Sequence, residues 1–191
     1  MIEKIAAKLS TGKKIVLMHG NADPDALGSA YALSQCFPDT YIGAPGGMDR
    51  VAKAVANKLS IEVIENPDIS EYDYAVIVDC SSRDQVSADL SEIECVAIDH
   101  HAVSGDWDEC LSICNENRKS CAEVILDILK CTDFKIDEKT GMALAAGMIT
   151  DSGHFKFADS MMMRSFADLL DEAGIEMKDV ISTTDLKQDV S

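Results

Sequence analysis

The chain has 191 residues, a hydrophobic content of 47% and a net charge of −17 from 34 acidic and 17 basic side chains. That length suits one α/β domain with a core of its own, and such acidity argues against a long nucleic-acid ligand, which asks for a basic face. No apolar run approaches the ~18–20 residues that span a bilayer, and the amphipathic start MIEKIAAKLSTGKK is not a signal peptide, so the expectation is a cytoplasmic protein without a membrane partner.

In chain order, Ile2, Ile5, Ala6 and Leu9 fall on one face of a first helix that Gly12 stops. Lys14–Met18 reads as a buried strand, and Asp25–Cys36 as a helix with Leu27, Ala30 and Tyr31 on one side. Thr40–Ile42 is a short strand and Met48–Leu59 a helix; further strands are predicted at Ile61–Ile64, Tyr74–Asp79 and Cys95–Asp99. The second half turns helical. Ser120–Cys131 opens on Ser-x-x-Glu, a capping signature. Glu138–Ile149 carries Met142, Ala145 and Ile149 at helical spacing, and Met162, Phe166, Leu169, Leu170 and Ala173 mark a helix that Gly174 ends. Strands alternating with helices point to an α/β fold with a parallel sheet covered on both faces. The seven cysteines are odd in number and accompany no secretory segment, and the closest pair, Cys110 and Cys114, is spaced CxxxC. Buried free thiols are therefore expected, and neither a disulfide framework nor a structural zinc site.

Polar clusters sit where predicted apolar strands end. His19-Gly-Asn-Ala-Asp23-Pro-Asp25-Ala-Leu-Gly28-Ser29 follows the first strand, Asp79 the strand from Tyr74, and Asp99-His100-His101 the strand from Cys95. In open parallel sheets ligands bind just beyond the carboxyl ends of the strands, so the clusters should meet at one edge. Asp151, at the end of a predicted helix, is a fourth candidate. Three of the four histidines lie in these clusters, and the fourth, His154, is three residues past Asp151. Read singly, each has an ordinary structural explanation: Asp23-Pro24 a turn with Asp25 capping the next helix, Asp79 a strand-end cap. Together they form a set of carboxylates and imidazoles without thiolate, which suits Mn²⁺ or another borderline divalent ion. A metal pair relieves the repulsion among crowded carboxylates and can acidify a water. Imidazole ligands must be neutral to bind, so metal affinity is expected to fall below about pH 6.

The set resembles the DHH phosphoesterase family. His19, Asp23, Asp25, Gly28 and Ser29 match the first motif, Asp79 the second, Asp99-His100-His101 the triplet that names the family, and Thr150–Gly153 the fourth. The resemblance implies a three-layer α/β/α fold with a mainly parallel sheet of about five strands. It also implies two divalent cations, Mn²⁺ first, with Mg²⁺ or Co²⁺ as substitutes. By that resemblance His19 and Asp23 hold one cation, Asp25, His100 and Asp151 the other, and Asp79 bridges them. His101 faces the substrate phosphate and Asp99 orients a histidine; Asp79, Asp99 and His101 thus form the catalytic set. His154 and Ser29 are further candidates for substrate contact.

The expected reaction is hydrolysis of a phosphate ester in a small nucleotide: a short oligonucleotide, a nucleoside 3′,5′-bisphosphate or a cyclic dinucleotide. Alternatives are a manganese-dependent inorganic pyrophosphatase or exopolyphosphatase, and a metal-binding regulatory domain of weak activity. A homodimer is compatible with all three. Two departures from the family pattern stand out. Ala22 and Pro24 replace the usual Pro and Gly, and the Gly-Gly-Gly-His segment of a second, substrate-binding domain is not in this sequence. Residues 1–185 are expected to form the metal-binding domain, and residues 186–191 a linker-like tail towards a second domain. Arg83, four residues past Asp79, is the nearest cation to the motifs and reads as a solvated side chain.

Overall fold

The computed structural model describes residues 1–102 and 107–186. Its elements are α1 (Ile2–Leu9), β1 (Lys14–Leu17), α2 (Pro24–Cys36), β2 (Thr40–Gly43), α3 (Arg50–Leu59), β3 (Tyr74–Val78), β4 (Glu94–Asp99), β5 (Leu111–Cys114), α4 (Cys121–Leu129), α5 (Glu138–Asp151), α6 (Ser160–Ala173) and α7 (Met177–Thr184). Short 3₁₀ turns cover Ile69–Glu71 and Arg83–Gln85.

The five strands form one all-parallel sheet in the order β2-β1-β3-β4-β5. Strands buried on both faces read as continuous apolar runs, and β1 shows why: Val16 joins the large core under the helices, while Ile15 and Leu17 join a smaller core on the other face. The three-layer arrangement holds, but its layers are unequal. The helices supply the large core. The smaller one is closed by Val86, Leu90 and Trp107 from loops and turns.

Sequence and structure differ in three places. The strand expected at Ile61–Ile64 shrinks to a single bridge between Ile64 and Gly43. Ile61 and Val63 pack on the core at a spacing of two without a backbone ladder, and Pro67 soon follows. Edge strand β5 was not predicted, because Leu111 and Ile113 are only half-buried and their alternation is short. Helix α7 has a β-branched sequence of low helix propensity. It is held by burial of Val180 and Thr183, and by Lys58 Nζ, which donates to the carbonyls of Ser182 (2.9 Å) and Asp185 (2.7 Å). The free cysteines also divide: Cys80, Cys95 and Cys121 are buried as expected, whereas Cys114 and Cys131 are exposed.

Helix starts follow simple capping chemistry. Asp49, Asp137 and Asp159 each accept backbone amides at the first turns of α3, α5 and α6. At α2 the cap is Asp23 rather than Asp25, with Pro24 pre-set at the first helical position. Two glycines decide how α2 meets α5. A Cβ at Gly28 would lie 2.3 Å from the Ala143 carbonyl oxygen, and one at Gly147 would lie 2.8 Å from both Cα and Oδ1 of Asp25. Only glycine permits this approach, and it seats Asp25 against Gly147, one helical turn before Asp151 on α5. Strand order reverses between β1 and β3, so the crevice for a ligand opens beyond their carboxyl ends.

Candidate metal centre

His19 leaves the end of β1 in a loop tied on two sides. Gly20 N donates to Gln85 O (2.8 Å), and Asn21 N and Ala22 N donate to Gly46 O (3.0 Å) and Gly47 O (2.9 Å). Gly46 is needed there, since a Cβ would sit 2.4 Å from Gly20 Cα. The ring Nδ1–H of His19 donates to Gly20 O at 3.0 Å, which leaves Nε2 as the free ligand atom. That Nε2 lies 3.9 Å from Asp23 Oδ1 and 3.8 Å from Asp79 Oδ2.

Asp79 follows β3 with φ of +57°, a left-handed conformation that costs a non-glycine residue about 1–3 kcal/mol. Its amide is pinned to Ile98 O at 3.0 Å and its side chain is buried. The strain turns one carboxylate oxygen towards each side of the crevice. Oδ2 faces His19, and Oδ1 lies 3.4 Å from His100 Nε2. His100 Nε2 is in turn 3.5 Å from Asp151 Oδ2.

Asp25 is wholly buried, and its two oxygens accept the first amides of α4: Cys121 N at 2.6 Å and Ala122 N at 2.9 Å. This anchor was not foreseen, although the capping signature at Ser120 marks the helix start that supplies it. Asp99 ends β4, and its Oδ1 accepts from His101 Nδ1 at 2.7 Å, so its partner is the second histidine of the triplet. His101 keeps about 45% of its side chain exposed, and His154 is exposed on the loop past Asp151. Ser29, expected to touch substrate, is instead fully buried one turn beyond Asp25, beside the Cys121 thiol. Arg83 is not a free solvated side chain: it donates to Cys110 Sγ at 3.3 Å and lies 5.4 Å from the Trp107 ring centre.

The loop after Asp151 is unusual. Gly153, His154 and Phe155 take left-handed φ values of 59°, 57° and 66° in succession. Ser152 Oγ holds this turn by donating to Met148 O (2.7 Å) and accepting from Phe155 N (3.0 Å), and the Phe155 ring packs edge-on against Phe166 at 4.8 Å.

Ligand atoms of His19, Asp23 and Asp79 lie within 4.8 Å of one another, as do those of Asp25, His100 and Asp151; Asp79, Asp99, His100 and His101 form a third such group. These residues fit cations. Donors bound at about 2.0–2.2 Å to a common ion sit roughly 3–3.5 Å apart, close to the separations here. Asp79 Oδ1 and His100 Nε2 are buried without a hydrogen-bond partner among the described residues, a state that costs free energy unless a ligand satisfies them.

The electrostatics agree. Burial, then the charges of Asp79, Asp151 and Asp23, push the Asp25 carboxyl well above the usual range. Burial likewise raises Asp151 to about 6, the nearby Asp79 and Asp23 adding to it against the pull of His100. The Asp23 carboxylate 3.9 Å away lifts His19 to about 9 against its burial, and the hydrogen bond to Asp99 does the same for His101, also to about 9. Burial works to lower His100, but its contacts with Asp79 prevail and raise it.

A parallel sheet with this carboxylate–imidazole crevice at its switch point defines an α/β domain with a candidate divalent-metal site. More narrowly, the chain belongs to the DHH family: the model of the family's N-terminal domain matches residues 13–150, ending one residue before Asp151. An uncharacterized protein of Methanocaldococcus jannaschii is 29% identical over 198 residues, covering 96% of this chain and 58% of that protein. A probable bifunctional oligoribonuclease and PAP phosphatase of Streptococcus mutans is 26% identical over 165 residues, covering 80% and 50%. Among solved structures, an exopolyphosphatase-related protein from Bacteroides fragilis superposes with a TM-score of 0.79 at 17% identity, covering 96% of this chain and 59% of that one. A putative family II inorganic pyrophosphatase of Methanococcus jannaschii gives 0.70 at 22%, covering 89% and 60%. At such identities the structural likeness concerns the fold. The chain spans between half and three fifths of the length of these relatives. Among the described residues no helix is long and apolar enough to cross a membrane.

Proposed function

We propose that this chain is the metal-binding domain of a phosphoesterase that hydrolyses small nucleotide substrates with two divalent cations, Mn²⁺ first. The observation that carries the reading is Asp79, which offers one buried oxygen to each of two ligand groups. His19 and Asp23 complete one group; Asp25, His100 and Asp151 complete the other. Bound cations would supply an acidified water at neutral pH and charge neutralisation for the phosphoryl oxygens.

The chain's own side chains do the rest. Asp99 holds the His101 ring by Nδ1, so its half-exposed Nε2 points a proton at the phosphate and stabilises charge there. The amides of Cys121 and Ala122 keep Asp25 in place before and after substrate arrives. His154, exposed beside Asp151, adds a substrate contact. A nucleotide substrate is favoured because the Streptococcus mutans relative is named for oligoribonuclease and PAP phosphatase activity. Cationic groups for gripping phosphate are sparse among 17 Lys and Arg. We therefore assign that grip to further chain of the kind that makes the relatives longer, and expect slow turnover by these 191 residues alone.

Metal analysis after Mn²⁺ loading should give more than one equivalent per chain. The loaded protein should hydrolyse a dinucleotide or a nucleoside 3′,5′-bisphosphate in preference to pyrophosphate. Turnover of pyrophosphate or polyphosphate alone would transfer the proposal to the inorganic substrates, and no metal uptake would end it.

A further inference from the structure

Phe157 is the most exposed phenylalanine of the chain's described large apolar side chains, with 65% of its surface in water. An aromatic ring left in solvent is unremarkable by itself, but the position of this one is built. Its amide donates to Ser152 O at 3.0 Å, so its backbone is fastened to the residue that follows Asp151. Its ring lies close to Gly153, where a Cβ would be 3.2 Å from ring carbons Cδ2 and Cε2. The left-handed residues Gly153–Phe155 leave Phe155 as a partly buried anchor against the core and lift His154, Lys156 and Phe157 out of it. Lys156 Nζ stands 5.3 Å from the Phe157 ring centre, which puts a cation beside the aromatic face. An aromatic ring, a cation and an imidazole thus share one hydrogen-bonded turn that starts directly after the ligand candidate Asp151. Bases stack on such rings whatever their identity, while a neighbouring cation meets the phosphate.

We propose that Phe157 is a specificity-determining residue that stacks a nucleobase of the substrate while the scissile phosphate lies at the metal centre. This rests on the phosphoesterase reading above and adds to it the part of the substrate that is recognised. It also gives the enzyme a means of preferring nucleotides to inorganic phosphoanhydrides, since only the former have a base to stack.

The test compares the Mn²⁺-loaded wild type with Phe157→Ala, Phe157→Trp and Phe157→Leu. Each is assayed on a dinucleotide and on the same phosphodiester with abasic sugars. The readout is the ratio of kcat/KM for the two substrates. Stacking on an aromatic is worth roughly 5- to 150-fold per base, so Phe157→Ala should lower the ratio by that amount, mainly through KM. Phe157→Trp should restore it, and Phe157→Leu, apolar but not aromatic, should not. A ratio unchanged in Phe157→Ala, or fully kept by Phe157→Leu, would overturn the stacking role while leaving the phosphoesterase intact. Wild-type turnover of pyrophosphate but of neither diester would instead overturn the nucleotide reading and this one with it. Sedimentation of the same proteins provides the remaining check: if Phe157→Ala dissociates an oligomer, the ring is a contact between copies and not a base platform.

Discussion

The two halves of the metal centre solve the same problem in opposite ways. In the loop half, His19 and Asp23 neutralise each other: the imidazole is raised to about 9 by the carboxylate, and the carboxylate is lowered by the imidazole and by two amides of α2 in spite of its burial. That half can stand without a cation at little cost. In the buried half, Asp25 and Asp151 are both raised, first by burial and then by neighbouring carboxylates. Asp151 is also the last residue of α5, where the helix dipole disfavours a negative charge. This half is built for a cation and is unfavourable without one. Identical residue types two positions apart in sequence, Asp23 and Asp25, therefore serve different ends: His19 and two amides stabilise the charge on Asp23, whereas full burial and neighbouring carboxylates oppose it on Asp25. It follows that the buried half should take up its ion more tightly and gain more stability from it.

The largest effect is expected where the halves join. Asp79→Asn removes a charge shared by both groups, so Mn²⁺ uptake should fall from two equivalents towards none. Turnover should drop well beyond the roughly 10–100-fold typical of residues that only support a ligand. An Asp79→Asn protein that keeps both ions and near-normal turnover would show that the halves are independent and that the oxygens of Asp79 bridge nothing.

Asp99→Asn should have the next largest effect. The Asp99–His101 pair repeats the His–carboxylate arrangement of the loop half at the outer edge of the centre. Losing the carboxylate frees the His101 ring and lowers its charge, so turnover should fall roughly 10–100-fold while metal stoichiometry stays at two. If the variant also loses an ion on metal analysis, Asp99 is a ligand, as its place in the third cluster with Asp79, His100 and His101 would allow.

A substitution in neither half tests how the buried one is made. Gly147→Ala places a methyl 2.8 Å from Asp25 Cα and Oδ1, and α5 must move away from α2 to accept it. Overpacking of this kind costs about 1–3 kcal/mol, and here it also pulls Asp151 away from His100. Thermal denaturation should show the loss, and Mn²⁺ loading should fall towards one equivalent, retained by the loop half. Two equivalents at unchanged affinity would mean that the α2–α5 contact does not position the ligands.

How far these features could be read from the sequence depends on the interaction that makes them. Strands β1, β3 and β4 were legible because both faces are buried and the apolar runs are continuous. The clusters at their ends were legible because turns and caps explain each one singly but not a set of carboxylates and imidazoles repeated at successive strand ends. Edge strand β5 and helix α7 were not, since one is half-exposed and the other is held by tertiary contacts against its own propensity. Within the site, sequence identified Asp23 and Asp25 equally. It could not say that Asp25 is held by the amides of α4, 96 and 97 residues away, or that Ser29 is buried beneath it. Glycines inside helices, Gly28 and Gly147, were the available signal of close packing, and only the facing helix gives them meaning.

The smallest effect, and the one that separates the halves without touching turnover, is the dependence of stability on pH. His19 sits at about 9 in the folded metal-free protein, against ~6.5 in an unfolded chain. Between those values the folded state keeps a proton that the unfolded state has released, so unfolding free energy falls as pH rises. The stabilisation is complete below ~6.5 and gone above 9, and His101 adds a parallel contribution over the same interval. Asp151, at about 6 when folded against ~3.9 unfolded, also holds a proton that the unfolded chain has lost, so it too weakens the fold as pH rises from about 4 to 6. The metal-free protein should therefore lose Tm across both windows. The added stability from Mn²⁺, which binds only deprotonated ligands, should grow across them, at higher pH than ordinary imidazoles would require. Asp23→Asn removes the charge that raises His19, so the metal-free variant should lose the His19 share of the slope between 6.5 and 9 and keep the slope between 4 and 6. Melting curves at half-unit steps of pH, with and without Mn²⁺, give both limbs. A variant profile that overlays the wild type above 6.5 would mean that Asp23 does not govern His19, and the self-neutralised character assigned to the loop half would have to be abandoned.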